Sequence, residues 1–156
     1  MHFLCDNLST KMLNLNIAGG RRTLIDGFVE KLVTRCNKLV SLDISDSGAL
    51  TGASVDAITK HLSGSLVTLS MSRNFGVPPM RYCQLTREAF PYLEVLNIYG
   101  VLGRISLGLE THIKASLSHL SINKDPFCYI ARPFVQNRRN MLWDIPFPAN
   151  TKVVDI

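Results

Sequence analysis

Long apolar runs are missing from this chain. No stretch approaches the roughly 18 consecutive apolar residues that a membrane-spanning helix needs. Closely spaced cysteines are missing too. The four cysteines, Cys5, Cys36, Cys83 and Cys128, include no C-x-x-C pair, which removes the usual basis of a zinc site. His2, His61, His112 and His119 show no H-x-x-x-H spacing. No G-x-S-x-G elbow or phosphate-cradling glycine loop occurs. These gaps argue against an enzyme, and the chain reads as a non-catalytic protein with no cofactor and no metal. Charge is modest as well. At 19% charged residues and a net charge of +5, acidic partners are compatible but nucleic acid is not demanded. The start, Met1 to Asn7, has no basic region followed by an apolar stretch, so no secretory signal is read there. With so sparse a cysteine framework, a reducing compartment is expected.

What is present is a repeat. Met12-x-x-Leu15-x-Ile17, Leu39-x-x-Leu42-x-Ile44, Leu66-x-x-Leu69-x-Met71, Leu93-x-x-Leu96-x-Ile98 and Leu117-x-x-Leu120-x-Ile122 are five copies of one apolar signature. Their centres, at 15, 42, 69, 96 and 120, are separated by 27, 27, 27 and 24 residues. A leucine pattern with a period of about 20–29 residues marks a leucine-rich-repeat solenoid. The fold class is therefore α/β: a curved parallel sheet on the concave face, helices on the convex face, and an irregular C-terminal tail. Residues 1–123 form the array of about five repeats and residues 124–156 the tail. Only a short polar segment precedes the first strand, and nothing before Met12 reads as a cap. The chain is thus expected to be the C-terminal portion of a longer solenoid, or a short product of its gene, with an uncapped front edge.

Each repeat follows one grammar. In the second, Leu42 and Ile44 alternate with Ser41, Asp43 and Ser45, so period two sends the apolar pair to the core. Residues 51–62 then carry Val55, Ile58 and Leu62 at near-helical spacing. The same reading predicts helices over Leu24 to Cys36, over Met80 to Phe90 behind Pro78 and Pro79, and over Ile105 to Ala115. Cys36 reads as a small buried hydrophobe that closes a helix against the next strand.

Three charged residues stand just beyond the strand apolar pairs. Asp46 follows Ile44-Ser45, Arg73 follows Met71-Ser72, and Arg21 lies four residues after Ile17, further on than strict register would put it. Stacked strands are about 4.8 Å apart, so these side chains are expected as an Arg–Asp–Arg column at one rim of the sheet. Asp46 can neutralise one arginine but not both. The surplus guanidinium suits a carboxylate or phosphate of a partner. A solvated charge ladder explains the spacing equally well. Asn97, Tyr99 and Asn123 are read as exposed strand positions, either ordinary solvated residues or an extension of the surface, with Tyr99 the best candidate for an aromatic anchor.

The stretches Leu-Asn-Ile-Ala-Gly-Gly-Arg-Arg (15–22), Cys-Asn-Lys-Leu-Val-Ser-Leu-Asp-Ile-Ser-Asp-Ser (36–47) and Leu-Ser-Met-Ser-Arg (69–73) carry a resemblance. So do Ile130-Ala131-Arg132-Pro133, Asn137-Arg138-Arg139-Asn140 and Trp143-Asp144-Ile145 behind them. The chain resembles the last repeats of F-box proteins with leucine-rich repeats, from about Leu13 to Ile145. The resemblance implies the substrate-recognition region of an SCF-type ubiquitin ligase receptor, found in nucleus and cytoplasm. It implies a phosphorylated inhibitor of a cyclin-dependent kinase as substrate, held together with a small cyclin-kinase regulatory subunit as adaptor. It also implies that the tail folds back along the array. Arg21, Asp46 and Arg73 match the substrate-facing positions of that family, and Trp143 in the tail joins the partner-binding candidates. Trp143 and Ile130 have the alternative role of capping the last repeat. The F-box is absent from these 156 residues, so docking on the ligase adaptor is expected only if an F-box exists upstream of Met1. The competing readings are an unrelated leucine-rich-repeat scaffold and a binding fragment that competes with the full receptor.

Overall fold

The computed structural model describes residues 2–102 and 105–123. Five short strands, β1 (Asn14–Asn16), β2 (Ser41–Asp43), β3 (Thr68–Ser70), β4 (Val95–Asn97) and β5 (Ser121–Ile122), form one parallel sheet in chain order. Helices α1 (His2–Asn7), α2 (Asp26–Arg35), α3 (Gly52–Leu62) and α4 (Leu107–Ser116) lie in the connections, with a 3₁₀ helix over Pro79–Gln84. This is the α/β solenoid expected from the 27-residue period.

Period-two alternation sends Leu42, Leu69 and Leu96 inward, where each is wholly buried with Ile44, Met71 and Ile98. The helices close the core from the same side. Phe28, Val29, Leu32 and Val33 form the buried face of α2, and Val55, Ile58 and Leu62 that of α3. Each fully buried Leu or Ile contributes about 1.5–3 kcal/mol. Cys36 caps α2, donating its N–H to Leu32 O at 2.8 Å, and is fully buried, as its place before the strand predicted. Burial pushes its thiol up, partly offset by the charge of Arg35.

Three local expectations are corrected. The fifth strand is centred on Ile122, not Leu120, because Leu96 pairs with Ile122. Leu120 instead closes the turn before the strand, its N–H donating to Leu117 O at 2.9 Å. A slip of two residues leaves the inward face unchanged, so Leu120 is still buried. The helix expected over Met80 to Phe90 is a 3₁₀ helix that stops at Gln84. Thr86 starts a separate turn there, its hydroxyl accepting from Ala89 N and its carbonyl from Phe90 N. A threonine side chain that captures nearby backbone competes with helix. Finally, the segment before Met12 is not merely polar connection, since residues 2–7 are helical. Cys5 of α1 is buried. Arg35 Nε donates to Leu8 O at 2.9 Å and Cys36 Sγ to Ser9 O at 3.5 Å, both across 27 residues. The repeat register therefore continues ahead of β1. The tail over 124–156 lies outside the described residues.

Candidate docking site at the strand ends

The hydrogen-bond ladder runs on beyond the strands into a tight turn. Gly19 N donates to Ser45 O at 2.9 Å, Asp46 N to Ser72 O at 2.9 Å, and Arg73 N to Tyr99 O at 2.8 Å. Gly19, Asp46, Arg73 and Gly100 thus occupy one register position, and all four have left-handed backbone, with φ of 84°, 56°, 59° and 78°. Glycine adopts that region without penalty. A charged residue there is strained by about 1–3 kcal/mol, and such strain concentrates at functional sites.

Arg21 is also left-handed, at φ 43°. Gly19 holds the position that strict register would give a charge, and Arg21 lies two residues on. Its N–H nevertheless donates to Asp46 O at 3.0 Å. The backbone thereby sets Arg21 beside Asp46, so that Arg21, Asp46 and Arg73 lie at one rim. Arg73 Nε and Nη2 both reach Asp46 Oδ1. This pair is almost closed to solvent, at 9% and 12% side-chain exposure, whereas Arg21 is exposed. Such shielding makes the pair a fixed element of shape and charge.

Hydroxyls and amides beneath the rim keep it in register. Ser45 Oγ accepts from Ser72 N at 3.0 Å, and Ser72 Oγ accepts from Tyr99 N at 3.1 Å. Asn74 accepts from Ser47 N at 2.8 Å and donates to Ile44 O at 3.0 Å. Asp43 accepts from Ser45 N at 3.0 Å. Burial raises the Asp43 carboxyl above its ordinary range, the Ser45 hydrogen bonds pull it back, and the Asp46 charge adds to the rise.

The remaining candidates separate. Tyr99 is half-buried at the rim beside the column. Asn123 is half-buried and left-handed at φ 54°, with its Oδ1 accepting from Ile98 N at 2.8 Å. Asn97 is not the exposed position expected, being only 4% exposed. Its Nδ2 donates to Ser70 Oγ at 3.0 Å on the neighbouring strand, so the side chain lies along the sheet. Trp143 lies outside the described residues. Two rim residues escaped the sequence reading: Phe75, which is 52% exposed, and Gly48. Both stand a whole number of 27-residue periods from Arg21, and that spacing was the available signal.

A family model described as the SKP2 LRR domain matches residues 1–148. The chain belongs to this family. The matched range passes beyond the strand array and takes in Ile130-Ala131-Arg132-Pro133 and Trp143. The SKP2 LRR domain is a substrate-recognition module of F-box proteins with leucine-rich repeats, and the chain has that substrate-receptor character. The SKP2-type rim described above offers charge, hydrogen bonds and an aromatic ring, the means of recognition.

Proposed function

We propose that this SKP2-type repeat domain is the substrate-recognition region of a ubiquitin ligase receptor. It binds a phosphorylated inhibitor of a cyclin-dependent kinase, with a small cyclin-kinase regulatory subunit as accessory adaptor. The domain contributes binding and no chemistry of its own. Ubiquitin is transferred by other subunits, in the nucleus and the cytoplasm.

One observation carries this reading. Arg21, Asp46 and Arg73 lie at one rim, each in left-handed backbone and two of them locked as a shielded ion pair. Two arginines and one aspartate leave a formal charge of +1 there. An acidic residue of the substrate therefore has a site at the exposed Arg21, next to the fixed Arg73 fork. The phosphate is held mainly by the adaptor.

Calorimetric titration with a phosphorylated inhibitor peptide carrying a glutamate, in the presence of the regulatory subunit, tests the proposal. Arg73→Ala weakens binding by at least about 2 kcal/mol if the rim is a hot spot. Arg21→Ala weakens it without loss of structure, because Arg21 is exposed. Unchanged affinity in both variants, with folding verified by circular dichroism, would reduce the column to a surface ornament.

A further inference from the structure

The rim offers more than charge. We propose that it contains a second subsite, a notch at Gly48 between Arg21 and Phe75, which receives an apolar side chain of the acidic segment. This inference rests on the docking reading above and deepens it by specifying what the segment carries beside its acidic residue.

Arg21, Gly48 and Phe75 follow one another at 27-residue steps. Their loops stack, since Ala49 N donates to Arg21 O at 3.4 Å and a Cβ placed on Gly76 would lie 3.1 Å from Gly48 O. A Cβ placed on Gly48 meets no described atom within 4 Å. The middle rung is therefore the low one, with taller side chains on either side of it.

Phe75 forms the apolar wall. Its ring is 52% exposed, yet it has a firm backing. A Cβ on Gly100 would stand 3.7 Å from Phe75 Cε1 and 3.3 Å from Arg73 Cγ. Glycine at that position, with φ 78°, lets the ring and the Arg73 stem settle against the backbone together. An aromatic ring seated beside a desolvated arginine is the composition of a binding hot spot. Arg21, on the other side, supplies positive charge.

The spacing specifies the occupant. Gly48 is one strand spacing from Arg21, about 4.8 Å, with Phe75 one spacing further, and an extended chain advances about 3.3 Å per residue with alternate side chains on one face. A segment crossing the rim thus presents its acidic and apolar residues on one face, two positions apart, which sets the second over the notch between Gly48 and Phe75. The apolar residue settles over Gly48 against Phe75 while the carboxylate meets Arg21.

Fluorescence anisotropy of the full chain, alone and with the regulatory subunit, tests this with labelled decapeptides carrying Glu and Leu two residues apart, in both orders. A matched set has Ser in place of Leu. A Leu peptide is expected to bind about tenfold tighter than its Ser counterpart. Phe75→Ala and Gly48→Leu should abolish that ratio by weakening the Leu peptide more than the Ser peptide, with folding verified by circular dichroism. Arg21→Ala should weaken both peptides alike. Equal affinities for Leu and Ser peptides in the unaltered chain overturn the subsite and leave the charged column standing. So does a Phe75→Ala variant that keeps the tenfold ratio. Binding of neither peptide overturns the subsite and the docking reading together.

Discussion

The first repeat and the second share almost the same strand, yet they are buried to different degrees. Leu15 and Ile17 are only partly buried, whereas Leu42 and Ile44 are wholly enclosed. Both strands carry a leucine and an isoleucine at equivalent places, and Leu15 pairs in register with Leu42. The difference lies in the neighbours. β2 is flanked by β1 and β3, while among the described residues β1 has a strand on one side only. In a stacked array the burial of a leucine comes from the rungs beside it, so one signature has two energetic values.

The largest test of this contrast is truncation of the central leucines. Leu42→Ala should cost about 2–5 kcal/mol, as for a fully buried side chain that leaves a cavity. Leu15→Ala should cost less than about 2 kcal/mol, because less apolar area is removed from burial. Urea unfolding midpoints decide it, and equal losses at the two positions would break the comparison.

A second pair of variants sharpens it at the rim. Arg73 and Arg21 have similar strained backbone, but Arg73 is held in the shielded pair with Asp46, whereas Arg21 is exposed. Arg73→Gly should destabilise by about 1–2 kcal/mol. Loss of a charged hydrogen bond near 1.5–3 kcal/mol outweighs relief of the left-handed φ. Arg21→Gly should be less costly than Arg73→Gly, since it relieves a left-handed φ at an exposed residue outside the shielded pair. A larger fall in melting temperature is expected for Arg73→Gly, and equal shifts in the two variants would mean that strain or pairing has been misjudged.

The smallest test concerns the tie between the two repeats. Asp26 of α2 accepts from Thr51 N at 2.9 Å and Thr51 Oγ1 at 2.7 Å, and also from the Ser54 hydroxyl, so it braces the start of α3. Asp26→Asn should cost about 1 kcal/mol, the usual worth of a capping interaction. Burial opposes ionisation of Asp26, but the Ser54 and Thr51 hydrogen bonds outweigh it and hold the carboxyl below its ordinary range. A depressed native value favours folding above the unfolded pKa, near 4, and that benefit fades as pH falls through the native value. The penalty of Asp26→Asn should therefore shrink in acid. Asp43 behaves oppositely because its native carboxyl is raised. Its contribution is most favourable below the unfolded pKa and is lost as pH climbs from about 4 through the native value. Melting temperatures of both asparagine variants between pH 3 and pH 7 check the two signs.

The fold was legible because stacking imposes its own period. Apolar residues at 27-residue steps have one economical arrangement, and four of the five strands pair as the leucines indicated. The fifth strand slipped by two because Leu120 and Ile122 satisfy the same face. The helix at the front was hidden by its length, since six residues carry too little periodicity to announce themselves. At the rim, charges at a constant distance beyond the strands revealed Asp46 and Arg73. Arg21 is brought in by a backbone bond that no spacing rule contains. Asn97 misled because alternation says only which face a side chain leaves from. Ser70, on the strand beside it, decides whether it stays in solvent. Phe75 lies in a loop, where neither period two nor 3.6 applies.

The turn that fixes Asp46 and Arg73 in left-handed backbone has a kinetic consequence. A surface set in place before any encounter loses little freedom when a ligand lands on it. Capture should then be governed by long-range attraction and slow with added salt. Discrimination between good and poor ligands should show in how long each one stays.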